Sequence, residues 1–326
     1  MRLAVVTGAS GHAGANLVRA LLDEGRAVRC LVREDVRALE GLDVEAVRGD
    51  VGDVASLERA FAGAGTVFHL AARISIVGEE DGAVLRTNVD GVRNVVEACR
   101  AKGIGRLVHF SSIHALHDPG AGAPIDEDAE PADFEWLPAY DRSKAAGERI
   151  VREAVARGFN AVIVNPTAIV GPHDEKPSRM GRVLLDLAKG RMPALVHGGY
   201  NWVDARDVAR GAIAAEQKGN AGQRYLLSGT WKPIADVAAI VHACGGAAPP
   251  RMNVPLGVAA AVAPLALAAS RLVGAEPLFT PDAIRALRCH REIVPRRSIA
   301  ELGWSPRPIE ATIADTLAWF RTKGMW

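Results

Sequence analysis

The chain has 326 residues, of which 49% are hydrophobic and 24% charged, with a formal net charge of +1. This length indicates one large domain with a smaller annex, and the balanced, dispersed charge gives no reason to expect a nucleic acid partner. The four cysteines (Cys30, Cys99, Cys244 and Cys289) show no metal-binding spacing, so we expect reduced thiols, no metal and a cytoplasmic location. The first strand pattern begins at the start of the sequence, so we expect no signal peptide.

Strand-like and helix-like segments alternate through the first half of the chain. The predicted strands are 2–7, 27–32, 43–47, 66–70, 106–111 and 160–165, and the predicted helices lie near 12–24, 53–62, 84–102 and 141–157. This alternation predicts an α/β fold, a doubly wound parallel sheet with helices on both faces.

The first strand leads into a glycine-rich turn, and a helix pattern follows the turn. Three glycines at this spacing allow a tight turn, a close approach of phosphate oxygens and packing of the helix on the strand. The helix N-terminus would then hold the pyrophosphate of a dinucleotide, as in a Rossmann domain. An ordinary strand–turn–helix is the alternative. The residues assigned to this cofactor site are Gly8, Ser10, Gly11, His12, Ala13 and Gly14.

The end of the second strand bears on the choice between NADP and NAD. Val32 stands where an acid would bind the ribose 2′-hydroxyl, and Arg33 follows with a guanidinium that suits a 2′-phosphate. Glu34 and Asp35 come next and could serve the hydroxyl instead, in which case Arg33 is a solvated charge. We favour NADP, with NAD as the alternative.

Two further segments fit a bound nucleotide. Asp50, after the third strand, could accept a hydrogen bond from the adenine amine, although aspartate also suits a turn. Ala71 and Ala72, after the fourth strand, would leave room for the nucleotide. Their neighbours Val51 and Leu70 are assigned to the same site.

A phenol and an ammonium group lie four residues apart in Tyr140-Asp141-Arg142-Ser143-Lys144, on one face of a predicted helix. Tyrosine has a reference pKa of about 10, and a nearby cation such as Lys144 would lower it. Ser112 ends the fifth strand at the carboxyl edge of the sheet, where ligands of such folds bind. Each pattern alone also occurs by chance, but their order predicts proton transfer at a substrate oxygen beside a nicotinamide.

The pattern changes after about residue 166, where proline becomes frequent. We predict helices at 179–189, 205–217 and 233–243, a strand at 223–228 and an amphipathic helix at 308–321. Residues 1–166 are assigned to the dinucleotide-binding domain, and 167–326 mainly to a substrate-binding lobe whose chain is partly interleaved with it.

One segment of this lobe, 254–270, carries no charge and contains Pro255 and Pro264. It is shorter than the ~20 apolar residues that a membrane span needs. We therefore expect a buried or pocket-lining helix and no membrane partner. A membrane-associated helix is the alternative.

Together these motifs resemble those of the extended short-chain dehydrogenase/reductases, the NAD-dependent epimerase/dehydratase superfamily. Residues 200–209 and 301–308 are similar to motifs of the family's substrate lobe and C-terminal region. Leu31-Val32-Arg33 looks most like the dihydroflavonol-reductase-like branch. The other matching segments are Thr7-Gly8-x-x-Gly11-x-x-Gly14, His69-Leu70-Ala71-Ala72, Phe110-Ser111-Ser112, Tyr140-x-x-x-Lys144 and Asn165-Pro166-Thr167.

The resemblance implies a carbonyl reductase that uses NADP(H). Tyr140 would be the acid/base, Lys144 would hold the nicotinamide ribose and Ser112 would polarise the carbonyl. The resemblance also implies a supporting role for Asn88, a place beside the nicotinamide for Asn165 and Pro166, and a homodimer formed through the helices near 84–102 and 141–157.

Dehydratases of the family carry acidic residues just after the catalytic serine or threonine. Here Ile113-His114-Ala115 stand instead, which argues against a dehydratase. His114, His117 and Asp118 lack a further clustered ligand for a metal.

The resulting hypothesis is reversible hydride transfer between NADP(H) and a carbonyl or secondary alcohol of a small to medium-sized substrate. Trp136, Trp202 and Trp231 suggest that this substrate is apolar or ring-shaped, although tryptophans are more often core residues. One alternative is a sugar-nucleotide epimerase with a tightly held NAD. Another is a non-catalytic dinucleotide-sensing protein, since fold alone does not establish catalysis.

Overall fold

The structure, a computed structural model, describes residues 3–120, 123–272, 280–289 and 291–326. Seven of the described strands form a parallel sheet, which confirms the predicted fold class. They are β1 (Ala4–Thr7), β2 (Val28–Val32), β3 (Glu45–Arg48), β4 (Thr66–His69), β5 (Arg106–Phe110), β6 (Ala161–Pro166) and β10 (Arg224–Leu227). Their order across the sheet is β10-β6-β5-β4-β1-β2-β3.

Helices cover both faces of this sheet. On one face, α1 (His12–Asp23) and α7 (Ala205–Lys218) share a core with alternate residues of β1 and β2. On the other face lie α2 (Val54–Phe61), α4 (Gly91–Ala101) and α5 (Ala139–Ala156). The short α3 (Ala83–Leu85) and a π-helical turn (Arg86–Asp90) lead directly into α4, so the helix predicted near 84–102 is present but irregular at its start.

The described residues of the C-terminal half of the chain add a second layer of two small sheets and five helices to the main sheet. It contains the three-stranded sheet β11-β9-β7 and the two-stranded pair β12-β8. The strands are β7 (Ala168–Val170), β8 (Leu195–Val196), β9 (Gly199–Asp204), β11 (Thr230–Pro233) and β12 (Asn253–Val254). The helices are α6 (Arg179–Ala188), α8 (Ile234–Ala243), α9 (Leu256–Leu272), α10 (Pro281–Ala286) and α11 (Ile309–Thr322).

The elements of this layer were predicted only in part. The helices at 179–189, 205–217, 233–243 and 308–321 are confirmed within about two residues. The five short strands and α10 were missed, because strands of two to six residues are stabilised by partners distant in the chain. The predicted strand at 223–228 is β10, which pairs with β6 and so returns the chain to the main sheet.

The helix expected in 254–270 is present, but most of its described side chains are exposed rather than buried, and a pocket-lining role stays a prediction. In α9, Ala259 and Ala263 are buried, whereas Val258 and Val262 are 53% and 52% exposed. Among the described side chains of α9, Ala259 and Ala263 pack into the core that includes α10, and most of the others meet solvent. In the part of the chain that the structure describes, no helix is long and apolar enough to span a membrane.

Candidate active site

The turn between β1 and α1 has the geometry of an anion cradle. Gly8 has φ +69°, and a Cβ at this residue would lie 2.7 Å from the Ala71 nitrogen. A Cβ at Gly14 would overlap the Gly8 carbonyl oxygen, so the helix could not pack on the turn. Helix α1 begins at His12 with no side-chain cap on Gly11 and no acid in its first turn. Its first N–H groups can therefore donate hydrogen bonds to phosphate oxygens.

Thr7 joins the ends of β1 and β4 beside this cradle. Its hydroxyl accepts a hydrogen bond from the Ala71 N–H (3.2 Å) and lies 2.7 Å from Nδ1 of His69. Leu70 and Ala71 are thereby held against Gly8, and Ala72 is exposed at the edge of the sheet. The structure thus brings these predicted residues to the glycine turn.

The side chain of His12 has a different environment from the phosphate cradle. Its Nε2 lies 3.1 Å from the Gly171 carbonyl oxygen, and Asn16 donates to the Pro172 carbonyl oxygen (2.9 Å). These contacts tie α1 to the loop after β7. Sequence reasoning missed the role of Asn16, which no local motif marks.

Arginines and acids alternate at the end of β2, where the adenosine ribose would lie. Arg33 is exposed, and Asp35 forms an ion pair with Arg37 (2.6 Å). This pair lowers the pKa of Asp35 to about 2. One of the two acids that could have favoured NAD is therefore already bound, and Arg37 adds a cation that sequence reasoning missed.

Asp50 and Val51 shape the loop after β3. Oδ1 of Asp50 accepts a hydrogen bond from the Gly52 N–H (2.8 Å), and the Val51 carbonyl oxygen accepts one from Asn94 (2.9 Å). Asp50 thus stabilises the turn after β3. Its side chain is also exposed at the carboxyl edge of the sheet, where an adenine would pass.

The three predicted catalytic residues meet at the carboxyl end of β5. Ser112 caps a short 3₁₀ turn, with its hydroxyl accepting from the His114 N–H (3.2 Å). Tyr140 lies at the start of α5, and its side chain is near enough to the Ser112 hydroxyl for that hydroxyl to favour the phenolate. Lys144, one turn further, is buried and donates from Nζ to the Phe110 carbonyl oxygen (2.9 Å).

Burial controls the ionisation of this group. It raises the pKa of Tyr140 to about 12, against the opposing effects of the nearby Ser112 hydroxyl and the Arg179 charge. The expectation that the phenol pKa is lowered is therefore wrong for the protein alone, because desolvation of the phenolate outweighs the nearby donors and cations. Burial also lowers the pKa of Lys144 to about 8, and the Glu148 carboxylate opposes that shift.

A buried polar network lies next to Lys144 and Ser112. Glu148, one turn beyond Lys144 on α5, forms a buried ion pair with Arg224 of β10 (2.8 Å). Asn165 of β6 donates both to Glu148 (2.6 Å) and to the Ser112 carbonyl oxygen (2.8 Å). Asn165 thus fixes the backbone of Ser112, and Pro166 follows at the buried end of β6. Sequence reasoning missed Glu148, although its spacing from Lys144 was a usable signal.

Asn88 braces α5 from the π-helical turn. It is buried and donates to the hydroxyl of Ser143 (3.0 Å), which in turn donates to the Tyr140 carbonyl oxygen (2.7 Å). Its side-chain amide also accepts a hydrogen bond from the Arg73 N–H (2.8 Å) and donates one to the Arg73 carbonyl oxygen (2.9 Å). Asn88 therefore holds Tyr140 through the helix backbone.

The predicted pocket tryptophans lie in different surroundings. Trp202 is a core residue whose Nε1 donates to the Lys232 carbonyl oxygen (3.1 Å). Trp231 is half-buried beneath Arg291, and Trp136 is 67% exposed beside α5. The charge of Arg179, a residue missed by sequence reasoning, opposes the burial that raises the pKa of both Tyr140 and Tyr200.

His114 belongs to the site rather than to a metal cluster. Its Nδ1 lies 3.2 Å from Asp141, and its ring meets Tyr140 edge-on with centroids 5.8 Å apart. No group of three or more potential metal-ligating histidine, cysteine, aspartate or glutamate side chains occurs among the described residues.

A parallel doubly wound sheet, a glycine cradle after its first strand and a Ser–Tyr–Lys group at its carboxyl edge define a dinucleotide-dependent Rossmann enzyme. The chain belongs to the NAD dependent epimerase/dehydratase family, whose model matches residues 4–228. The resemblance to extended short-chain dehydrogenase/reductases is thus confirmed.

Two curated relatives and one solved structure align with nearly the whole chain. Sterol demethylase protein B of Methylococcus capsulatus is 39% identical over 98% of this chain and 99% of its own. A putative dihydroflavonol 4-reductase of Synechocystis is 33% identical over 98% and 94%. The crystal structure of gox2253 is 31% identical, covers 99% of both chains and superposes with a TM-score of 0.87.

Proposed function

We propose that the chain is an NADP(H)-dependent reductase that transfers a hydride reversibly between the nicotinamide and a carbonyl or secondary alcohol. The observation that carries this proposal is the convergence of Ser112, Tyr140 and Lys144 at the end of β5. A hydroxyl, a phenol and an ammonium group at one point can polarise a carbonyl oxygen and deliver a proton to it.

The protonation states of Ser112, Tyr140 and Lys144 suit them to different roles in the reaction. Ser112 and Tyr140 donate hydrogen bonds to the substrate oxygen, and Tyr140 delivers the proton to it. With a pKa of about 12 the phenol is protonated at neutral pH, which favours its use as an acid in the reductive direction. Lys144 would hold the nicotinamide ribose. NADP(H), when bound, supplies or accepts the hydride.

The cations after β2 support NADP over NAD. Replacing Arg33 with alanine removes an exposed guanidinium where a 2′-phosphate would lie, so we expect KM for NADPH to rise about tenfold while KM for NADH changes little. Arg37→Ala, which instead frees Asp35 from its ion pair, is the matched variant. Equal losses with both cofactors in Arg33→Ala would contradict the assignment.

Two features support an apolar, ring-bearing substrate. The relatives named for a sterol and for a dihydroflavonol are both named after ring compounds. In this chain, Trp136 offers an exposed ring four residues before Tyr140. Among cyclic ketones of increasing size, we therefore expect the fused-ring members to give the higher kcat/KM.

The decisive experiment replaces Tyr140 with phenylalanine. NADPH oxidation with a panel of cyclic ketones should fall by about 10²–10⁴-fold, because the proton donor is lost. NADPH binding, measured by fluorescence, should be unchanged, since the glycine cradle is untouched. Full activity in this variant would defeat the mechanism. An epimerase would instead retain NAD through purification and consume no added NADPH, and a sensor would bind NADPH without turnover of any ketone.

The homodimer and the cytoplasmic location stay predictions. The dimer would use α4 and α5, which pack side by side on one face of the sheet. Light scattering of the purified protein would give its mass in solution.

A further inference from the structure

Helix α9 exposes apolar side chains where a surface helix normally carries polar ones. From Leu256 to Pro264 it contains no polar side chain. Ala259 and Ala263 pack into the core that contains Ile284 and Leu287 at α10, while Val258 and Val262, one turn apart, face solvent. Met252, just before β12, is 63% exposed. We call Met252, Val258, Val262 and Trp136 the apolar rim.

The apolar rim connects to the candidate active site through α10. Arg285 of α10 lies over the ring of Trp136 at 5.2 Å. The same guanidinium is 3.9 Å from Asp141, the neighbour of Tyr140. The Trp136 end of the rim therefore lies close to the helical turn that carries Tyr140.

Basic residues flank the α9 end of the rim. Residues 280–297 contain five arginines and two acids; Arg285 and Arg297 lie against acids of other segments, whereas Arg288 and Arg291 are exposed. Arg251, also exposed, directly precedes Met252. Acids occur at the other end, where Asp133 and Glu135 accompany Trp136. Exposed apolar groups beside arginines are complementary to an anionic lipid surface.

We propose that the apolar rim docks on the surface of an anionic phospholipid bilayer, without crossing it, and takes an apolar substrate from the lipid. The substrate part rests on the proposed function. The docking part does not, because an inactive protein would dock equally well.

Flotation with vesicles tests the docking directly. The full-length protein should float with phosphatidylglycerol vesicles and remain unbound with phosphatidylcholine vesicles. The double variant Val258→Ser/Val262→Ser should bind phosphatidylglycerol more than tenfold more weakly, since two side chains lose their apolar contact. Arg251→Glu/Arg288→Glu should weaken binding by reversing charge. Ile299→Ser, at a 54% exposed residue on the π-helical turn 298–302, is the matched control and should bind like the wild type.

Several results would overturn the proposal. A wild-type protein that stays in the unbound fraction with both lipids would overturn it, and so would a double serine variant that floats as well as the wild type. A dimer that the double serine variant dissociates, without vesicle binding, would assign the rim to a second copy of the chain. Activity on a water-soluble ketone should be unchanged in the serine variant, so loss of docking and failure of the proposed function give different results.

Discussion

Helices α1 and α9 are both rich in alanine and leucine, yet they lie in opposite environments. α1 carries Arg19 and Asp23, and still buries Leu17, Val18 and Leu21 against the sheet and α7. α9 has no charge before Arg271, and exposes Val258 and Val262. Apolar content therefore does not decide burial. The number of neighbouring elements does: α1 lies between β1, β2 and α7, whereas the described side chains of α9 meet mainly α10.

The largest expected difference between the two helices comes from deleting a side chain. Leu17→Ala should lower the free energy of unfolding by about 2–5 kcal/mol, because it leaves a cavity in a fully buried site. Val262→Ala should change it by less than about 0.5 kcal/mol, since that side chain already meets solvent. Urea unfolding measures both, and similar losses would contradict the exposed placement of α9.

A smaller difference is expected from adding a methyl group to each helix. Gly14→Ala should cost about 1–3 kcal/mol and weaken NADPH binding, because its Cβ would overlap the Gly8 carbonyl oxygen. Gly257→Ala meets nothing within 4 Å and should stabilise the protein by up to roughly 1 kcal/mol through helix propensity. Thermal unfolding with and without NADPH separates the two effects. Equal shifts of the unfolding temperature in both variants would contradict the different packing of the two helices.

The last effect is a pH dependence and concerns α5, which buries charge where α1 and the described side chains of α9 bury none. Burial lowers the pKa of Lys144 from 10.5 to about 8, so the ammonium form is lost above that pH. The kcat/KM of ketone reduction should then fall about tenfold per pH unit above pH 8, well before Tyr140 ionises. A pH–rate profile that stays level to pH 10 would show that Lys144 keeps an ordinary pKa.

The buried charges of α5 also show why sequence reasoning found the catalytic residues but not their support. Tyr140 and Lys144 form a local spacing that can be read from one helix. Glu148 follows the same spacing, yet its partner Arg224 is 76 residues away and reaches it only because β10 pairs with β6. A pairing of this kind depends on strand order, which one sequence does not specify.

The sequence by itself determined what depends on neighbours along the chain: the alternation of strands and helices, the glycine turn, the Tyr–Lys spacing and the family. Only the tertiary structure decided what depends on distant partners. It placed β10 in the main sheet, joined Asn165 to Ser112, set the direction of the Tyr140 pKa and left α9 exposed. The physical reason is that burial and pairing are properties of a side chain's surroundings, which residues far apart in the sequence create.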